Sequence, residues 1–218
     1  MAQIMTYTKY PIEIQYTYTE KDFDSETLDW SNISKHKNSC YTDQKEYHLS
    51  ECPATEETHN TIGRICRELG FRNNAEYETF GTGATSYAAE TNMRLILQPK
   101  FTVTDRENAY SNAMFRMIYR NKAVLCMFGT NPSTNSSHCW VCDGVEKITT
   151  TKEGILVGGG DEVISETYFH HNWGWNGSNN GWFIANVYNP NNNSVSTGGF
   201  SEDTHYFAVY KSGSTFNL

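Results

Sequence analysis

The stretch SSHCWVCDG, residues 136–144, places a histidine directly before one cysteine and four residues before another. His138, Cys139 and Cys142 are residue types that can bind a metal, form a redox pair, or supply the base and the thiol of a nucleophilic site. Which chemistry they can perform depends on the backbone that carries them. HCWVC is apolar and is followed by the turn pair Asp143-Gly144, so we predict a β-strand.

A strand keeps the two cysteines apart. Successive side chains point to opposite faces at a rise of about 3.3 Å per residue, so Cys139 and Cys142 are expected on opposite faces, about 10 Å apart along the chain. One metal ion cannot bridge that distance, although His170 and His171 would add ligand types. A thioredoxin-type redox pair would need the start of a helix. We therefore disfavour both, and expect no metal site.

The same geometry separates both cysteines from His138. Cys139 faces away from it, and Cys142 shares its face about 13 Å along the strand. Neither thiol comes within the roughly 2.6–3.2 Å at which a base activates a nucleophile. Cys126, in the apolar run AVLCMFG, is expected to be buried and inert with a raised pKa. If His138 is a general base, its nucleophile comes from elsewhere.

A second stretch, FHHNWGWNGSNNGWF at residues 169–183, sets two tryptophans around a glycine among asparagines. A β-turn anchored by tryptophan would account for it. A wall beside a catalytic histidine would also account for it, because indoles shield an imidazole from water. Shielding lowers the local dielectric constant and strengthens a thiolate–imidazolium pair.

Helical patterns dominate the first half of the chain. Apolar residues at helical spacing predict four helices, at residues 1–10, 55–69, 86–97 and 109–120. Thr55 and Ser86 are the predicted N-caps, and Gly70 is the predicted end of the second helix. FGTGATS, residues 80–86, lacks the lysine of a phosphate-binding loop, so we interpret it as a bend or a cleft wall.

Strand patterns dominate the second half. Buried or alternating runs predict strands at residues 12–19, 123–129, 138–142 and 204–211, and in the segments SETYFHHNW and GWFIANVY. Residues 145–163 and 189–203 are rich in Gly, Asn and Ser and are predicted to be loops. Helices that come first and strands that follow predict a single α+β domain over residues 1–218.

Composition excludes several classes of protein. The 218 residues are 38% hydrophobic and 14% aromatic, which is ample for a packed core. The net charge of -8, without a basic patch, argues against nucleic-acid binding. No apolar run approaches the roughly 20 residues of a membrane span, and residues 1–20 show no signal peptide. The six scattered cysteines form no disulfide framework, and Cys40 and Cys52 are the best candidates for one bridge.

Taken together, the two stretches resemble a known family, the streptopain-type cysteine peptidases. SHCWVCDG resembles the family's Gly-His-Ala-Trp/Phe-Val-x-Asp-Gly motif, and residues 169–183 resemble its His-x-Asn-Trp-Gly-Trp motif. MAQIMTYTKYP, at the start of the chain, resembles the helix that carries the family's nucleophile, and LDWSNI, residues 28–33, resembles a further family stretch. The similarity runs from residue 1 to about residue 190, with residues 145–163 as an insertion.

The resemblance implies a papain-like fold, in which a helical N-terminal half and an antiparallel β C-terminal half meet at a cleft. It implies that His138 is the catalytic histidine, that Trp173 takes the place of an orienting asparagine, and that Trp175 shields the dyad. Asn172 directly precedes them and is included in the catalytic set. The residues assigned to substrate binding by the same resemblance are Gly81, Gly83, Ser86 and Ser137.

One departure concerns the nucleophile. In the family this cysteine lies a few residues before the segment that matches Met1, so the chain as given is expected to be inactive. The implied activity is that of a cysteine endopeptidase that acts outside the cytoplasm on polypeptides, through a Cys–His dyad and without a cofactor. An inhibitory propeptide or an inhibitor protein would be a further partner. The alternative is a non-catalytic protein that retains the cleft and binds peptides or glycans.

Overall fold

The structure, a computed structural model, describes residues 1–17, 25–35, 55–78, 81–152, 162–175, 177–192 and 199–213. The chain forms two compact units, Met1–Val103 and Thr104–Leu218. Helices and antiparallel strands are both present, so the predicted α+β class is confirmed. Within the described ranges, no helix is both long and apolar enough to cross a bilayer. The bridge candidates Cys40 and Cys52 lie outside the described residues.

The first unit is mainly helical. Its elements are α1 (Ala2–Thr8), β1 (Glu13–Gln15), β2 (Ser25–Thr27), α2 (Trp30–Ile33), α3 (Glu56–Arg72), β3 (Glu76–Glu78), β4 (Gly81–Gly83), α4 (Ser86–Leu97) and β5 (Phe101–Val103). Strand β1 pairs with β2, and β3 pairs with β4, both antiparallel. The buried side chains of one core cluster are Met5, Ile14, Tyr16, Leu28, Trp30, Ile33, Ile65 and Leu69.

Helix α3 begins as predicted but ends later. The Thr55 side chain accepts a hydrogen bond from the Thr58 N–H at 3.2 Å, which confirms it as the N-cap. The predicted end at Gly70 is wrong, because the helix continues to Arg72. A Cβ atom on Gly70 would lie 1.6 Å from the Tyr77 hydroxyl oxygen. The glycine is therefore needed for the close approach of Tyr77, and it does not end the helix.

Two further predictions in this unit are wrong. Thr85, and not Ser86, is the N-cap of α4, because its extended backbone lets the hydroxyl accept from the Ala88 N–H at 3.2 Å. In place of the predicted bend, Gly81–Gly83 form strand β4, which pairs with β3, and the alternative of a cleft wall stays a prediction. A glycine-rich sequence gives little local preference for a strand, so only the partner strand decides this outcome.

The second unit is built on an antiparallel sheet. Its elements are β6 (Glu107–Asn108), α5 (Ser111–Asn121), β7 (Val124–Asn131), β8 (Ser136–Lys152), β9 (Glu162–Asn172), β10 (Gly181–Ile184) and β11 (Glu202–Lys211). Its strands follow the order β10-β9-β8-β7-β11, and β6 pairs with β11. Residues 124–129 are buried on both faces of β7, which confirms the prediction from their continuous apolar run.

Strand β8 is much longer than predicted. The Asp143-Gly144 pair does not end it; the register shifts between Cys142 and Gly144, a β-bulge, and the strand continues to Lys152. Residues 145–152 then pair with residues 162–169 of β9. The predicted loop is therefore wrong at residues 145–152 and 162–163, which lie in two paired strands, whereas residues 153–161 lie outside the described residues.

One face of this sheet carries the core that supports His138. Helix α5 packs Met114 and Ile118 against it. The buried residues of this cluster include Leu125, Met127, Trp140, Cys142, Phe169, Trp173, Phe183, Tyr188, Phe200 and Tyr206. The aromatic residues of the cluster come from β8, β9, β10, β11 and the segments between them, so several elements pack together around His138.

Candidate active site

His138 is the third residue of β8 and lies opposite Gly129 of β7. Its half-buried imidazole lies between two rings, with centroid distances of 4.7 Å to Trp175 and 5.1 Å to Phe200. A Cβ atom on Gly129 would lie 2.4 Å from the Phe200 carbonyl oxygen. The glycine on the neighbouring strand therefore allows Phe200 to approach the imidazole.

A single hydrogen bond fixes the orientation of the imidazole. Nε2 of His138 lies 2.8 Å from the carbonyl oxygen of Trp173. A carbonyl oxygen only accepts, so Nε2 carries the proton, and Nδ1 of the neutral ring is an acceptor. Nδ1 makes no hydrogen bond to the described residues. It is the ring nitrogen that can take a proton from a reacting group and return it.

Two asparagines shape the turn that supplies the Trp173 carbonyl. The Trp173 N–H donates to Oδ1 of Asn180 at 2.9 Å, and the Gly174 N–H donates to Oδ1 of Asn172 at 3.1 Å. Gly174 has a φ of 79°, in the left-handed region that favours glycine. This local geometry explains why a Trp-Gly pair among asparagines is needed beside the histidine.

The indole rings of two tryptophans lie next to the imidazole. Trp173 is fully buried and lies 4.9 Å from Trp140 between ring centroids, whereas Trp175 is 38% exposed. The expected contact between His138 and an indole is confirmed by Trp175. Burial lowers the pKa of His138, and its hydrogen bond to the Trp173 carbonyl acts in the opposite direction. The catalytic roles of Trp173, Trp175 and Asn172 stay predictions.

The pKa of His138 can be measured through the fluorescence of Trp175. We expect the fluorescence of residues 1–218 to fall as the pH decreases, with a midpoint below about 6.5, the ordinary pKa of histidine. The reason is that burial disfavours the imidazolium, and an imidazolium in contact with an indole quenches it. Both Trp175→Phe and His138→Gln should remove this transition. A midpoint above 6.5, or one that survives both changes, would contradict the assignment.

The cysteines near His138 occupy other positions. Cys139 is exposed, and its sulfur lies 3.5 Å from the sulfur of Cys126, whereas Cys142 is buried in the core beneath α5. The predicted opposite faces of Cys139 and Cys142 are therefore confirmed. The hydrogen bond to Cys139 and burial raise the pKa of Cys126, as expected for an inert thiol. None of the described cysteines hydrogen bonds to His138.

The four residues assigned to substrate binding lie in both units of the chain. The hydroxyl oxygen of Ser137 lies 3.0 Å from that of Thr130, on the face of β8 opposite His138, because successive side chains alternate. Its role in substrate binding stays a prediction. Gly81, Gly83 and Ser86 belong to β4 and α4 of the first unit. Their role in substrate binding stays a prediction.

The pair His170 and His171 divides as strand alternation predicts. His171 is buried, and its Nδ1 accepts a hydrogen bond from Nε1–H of Trp140 at 3.0 Å. His170 lies on the opposite face, with Nδ1 2.6 Å from Oδ1 of Asp143. His171 therefore holds an indole of the wall and does not face solvent. Burial lowers its pKa to about 3.

His171 should make the stability of residues 1–218 depend on pH. The folded protein keeps this ring neutral down to about pH 3, whereas the unfolded chain protonates it near pH 6.5. The stability is therefore complete above pH 6.5 and is lost as the pH falls, by about 1.4 kcal/mol per pH unit. We expect His171→Gln to reduce the slope of unfolding free energy against pH by that amount, measured by urea denaturation between roughly pH 6 and pH 4. An unchanged slope would contradict the buried neutral ring.

Three residues at this site were not singled out by the sequence analysis. Trp140 could have been found, because it lies two residues after His138 and shares its face of the strand. Asn180 lies within the quoted stretch but has no spacing rule that marks it. Phe200 lies 62 positions after His138 in a segment of glycine and polar residues, and only tertiary structure brings it there.

A metal centre finds no support in the described ranges, which contain no group of three or more His, Cys, Asp or Glu side chains arranged to hold an ion. The arrangement that is present consists of one oriented imidazole, a free Nδ1 and a wall of indoles. Such an arrangement suits proton transfer at a covalent intermediate.

Comparison with known proteins agrees with this chemistry. The thiol protease/hemagglutinin PrtT of Porphyromonas gingivalis is 23% identical over 217 residues, which cover 93% of this chain and 22% of that protein. The chain thus spans less than a quarter of the length of this curated relative. A model of the Peptidase C10 family matches residues 1–183, a range that includes both motif stretches. The chain therefore belongs to the peptidase C10 family, the streptopain family of cysteine peptidases.

Proposed function

We propose that this chain is the greater part of a papain-like cysteine endopeptidase domain that cleaves polypeptides outside the cytoplasm. Family membership and the thiol protease relative support a cysteine peptidase. The observation that carries the proposal is the hydrogen bond from Nε2–H of His138 to the Trp173 carbonyl. It leaves Nδ1 as the proton carrier and holds the ring against Trp175, so His138 is preorganised as a general base and acid.

The reaction follows from this orientation. A thiolate attacks the carbonyl carbon of a peptide bond and forms a tetrahedral intermediate. Protonated His138 gives the proton on Nδ1 to the leaving amine as the C–N bond breaks, which leaves a thioester. His138 then takes a proton from water through Nδ1, the hydroxide attacks the thioester, and the C–S bond breaks to give a carboxylic acid, the thiolate and protonated His138. No step needs a metal or an organic cofactor.

The thiol in this scheme is proposed to lie upstream of Met1, as the family resemblance implies. Support comes from the three described cysteines of the second unit, because Cys139 and Cys126 pair with each other on one face and Cys142 is buried in the core. The fourth described cysteine, Cys66, lies on α3 of the first unit. An inhibitory propeptide or an inhibitor protein is proposed as a further partner of the intact peptidase.

Covalent trapping tests the proposal. The longer protein, meaning residues 1–218 together with the natural upstream segment, is treated with a peptide-based inhibitor that alkylates thiols, and the modified residue is located by mass spectrometry. We expect modification upstream of Met1, at a rate that falls strongly in His138→Gln. Cys139 is an exposed competing thiol, so Cys139→Ser is the control and should retain the labelling. Labelling that disappears in Cys139→Ser would overturn the proposal and favour a non-catalytic peptide- or glycan-binding protein.

A further inference from the structure

Strands β8 and β9 continue beyond the rest of their sheet as a ribbon, which we define as residues 144–152 and 162–170. Gly144 pairs with His170, and Lys152 pairs with Glu162. Strand β7 pairs with β8 only as far as Cys142, and β10 pairs with β9 only between Tyr168 and His171. In the part of the chain that the structure describes, no strand covers the outer edge of β8 along the ribbon.

An open edge of this kind is a pairing surface. Every second residue of β8 directs its N–H and C=O groups away from β9, and those groups have no strand to bond. The side chains from Glu146 to Lys152 are all exposed, including Ile148 at 44%. The residues ITTT at 148–151 are β-branched and favour strands. Since an isolated two-stranded ribbon is only marginally stable, additional strand pairing would stabilise it.

The charges on this edge are complementary to the charges on the same edge of a second copy. In an antiparallel pair of two identical strands, the outward-directed residues face each other, so paired positions differ by an even number. With Thr149 on the two-fold axis, Glu146 faces the partner's Lys152, and Lys152 faces the partner's Glu146. Glu146 has no ion pair within the described residues, and Lys152 lies directly opposite Glu162 of β9 in the same ribbon. This register therefore creates two ion pairs and leaves Lys147 opposite a threonine.

Other registers within residues 146–152 lack this complementarity. An axis at Lys147 would place two lysines directly opposite each other, which is destabilising. An axis at Ile148 would leave the charges opposite uncharged residues, and an axis at Thr150 would place Lys152 opposite Ile148 and move Lys147 opposite Glu153, beyond the described strand. The outer edge of β9 between Val163 and Thr167 carries Glu166 and no basic residue, so it gains no ion pair with itself. Among pairings of residues 146–152 with themselves, only the axis at Thr149 places Glu146 opposite a lysine.

We propose that a second copy of this chain binds along residues 146–152 of β8 and forms a symmetric dimer with Thr149 on its two-fold axis. The two ribbons then become one four-stranded antiparallel sheet. The surface is independent of the site at His138 and does not depend on the proposed peptidase activity. A pairing of seven residues per copy is short, so we expect a concentration-dependent dimer with a Kd on the order of 100 µM.

The register is tested by exchange of the two charges. Glu146→Lys places lysine opposite the partner's Lys152, and Lys152→Glu places glutamate opposite the partner's Glu146. We expect each change to weaken the dimer about tenfold in sedimentation equilibrium at moderate salt, because two ion pairs become two repulsive pairs. The double variant Glu146→Lys/Lys152→Glu restores both ion pairs and should return the Kd to that of the unchanged protein. Lys147→Glu is the matched control, which makes the same charge change opposite a threonine and should leave the Kd within about twofold.

A disulfide provides an independent measurement. Thr149→Cys should form an intermolecular disulfide under mild oxidation, because the two copies of residue 149 are directly opposite at a Cβ distance of about 4.5–5.5 Å. Thr151→Cys should not, because residue 151 faces the partner's Lys147. A protein that remains monomeric at about 1 mM, or a dimer that the double charge exchange does not restore, would overturn the proposal.

Discussion

Replacing His138 by alanine in the longer protein is expected to lower kcat/KM for a polypeptide substrate by on the order of 10⁴-fold or more. The imidazole is the group whose Nδ1 is free to move a proton, since its Nε2–H is committed to the Trp173 carbonyl. Without it the thiol loses its base and the leaving amine loses its acid in the same variant. The measurement is the rate of hydrolysis of unfolded casein at neutral pH.

His170→Ala is the matched control for this change. His170 is also a histidine on a strand of the same sheet, but it lies on the opposite face from His171 and contacts Asp143. We expect its activity to stay within a few fold of the unchanged protein, because surface substitutions away from the reacting groups have small effects. Equal losses for both variants would show that His138 acts through stability and not through catalysis.

The second large effect concerns the segment upstream of Met1. We expect residues 1–218 alone to hydrolyse casein at no measurable rate, and the longer protein to hydrolyse it. Removal of one member of a catalytic set that acts as a unit costs roughly 10⁶-fold in kcat, about as much as removal of all of them. Cys126, Cys139 and Cys142 are not expected to act as the nucleophile, because the first two contact each other and the third is buried in the core.

The control for this comparison is the longer protein with its upstream cysteine changed to serine, which should be as inactive as residues 1–218. Hydrolysis by residues 1–218 that His138→Ala abolishes would place the nucleophile within this chain. In that case the first candidates would be Cys40 and Cys52, which lie outside the described residues, and the exposed Cys66 of α3. A longer protein that is folded and yet inert would favour the non-catalytic binding protein.

Much of the site could be predicted from the sequence because its signals are local. The alternation of a strand places His138 and Cys139 on opposite faces and buries one histidine of the pair 170–171, whatever the rest of the fold does. The Asn-Trp-Gly-Trp stretch predicts the indole beside the imidazole, and Trp175 occupies that position. The hydrogen bond from His138 to a main-chain carbonyl could not be predicted, because every residue carries such a carbonyl.

The predictions of helices and strands show the same division between local signals and contacts made only in the folded chain. The N-cap at Thr55 and the buried run of β7 follow from side-chain chemistry within a few residues. The wrong predictions at Gly70 and at Asp143-Gly144 arose where a contact outside the local pattern decides. The Tyr77 hydroxyl occupies the space that a Cβ atom on residue 70 would need, and pairing with β9 carries β8 through a bulge instead of ending it.

The sequence by itself determined which residues could do chemistry and which face of a strand each of them occupies. The tertiary structure alone decided what surrounds the imidazole, since Phe200 approaches it through the space left by Gly129 on a neighbouring strand. It also decided that residues 145–152 extend a strand with an open edge. The physical reason is that backbone periodicity is set by neighbouring residues, whereas close approach and strand pairing are set by segments that meet only in the folded chain.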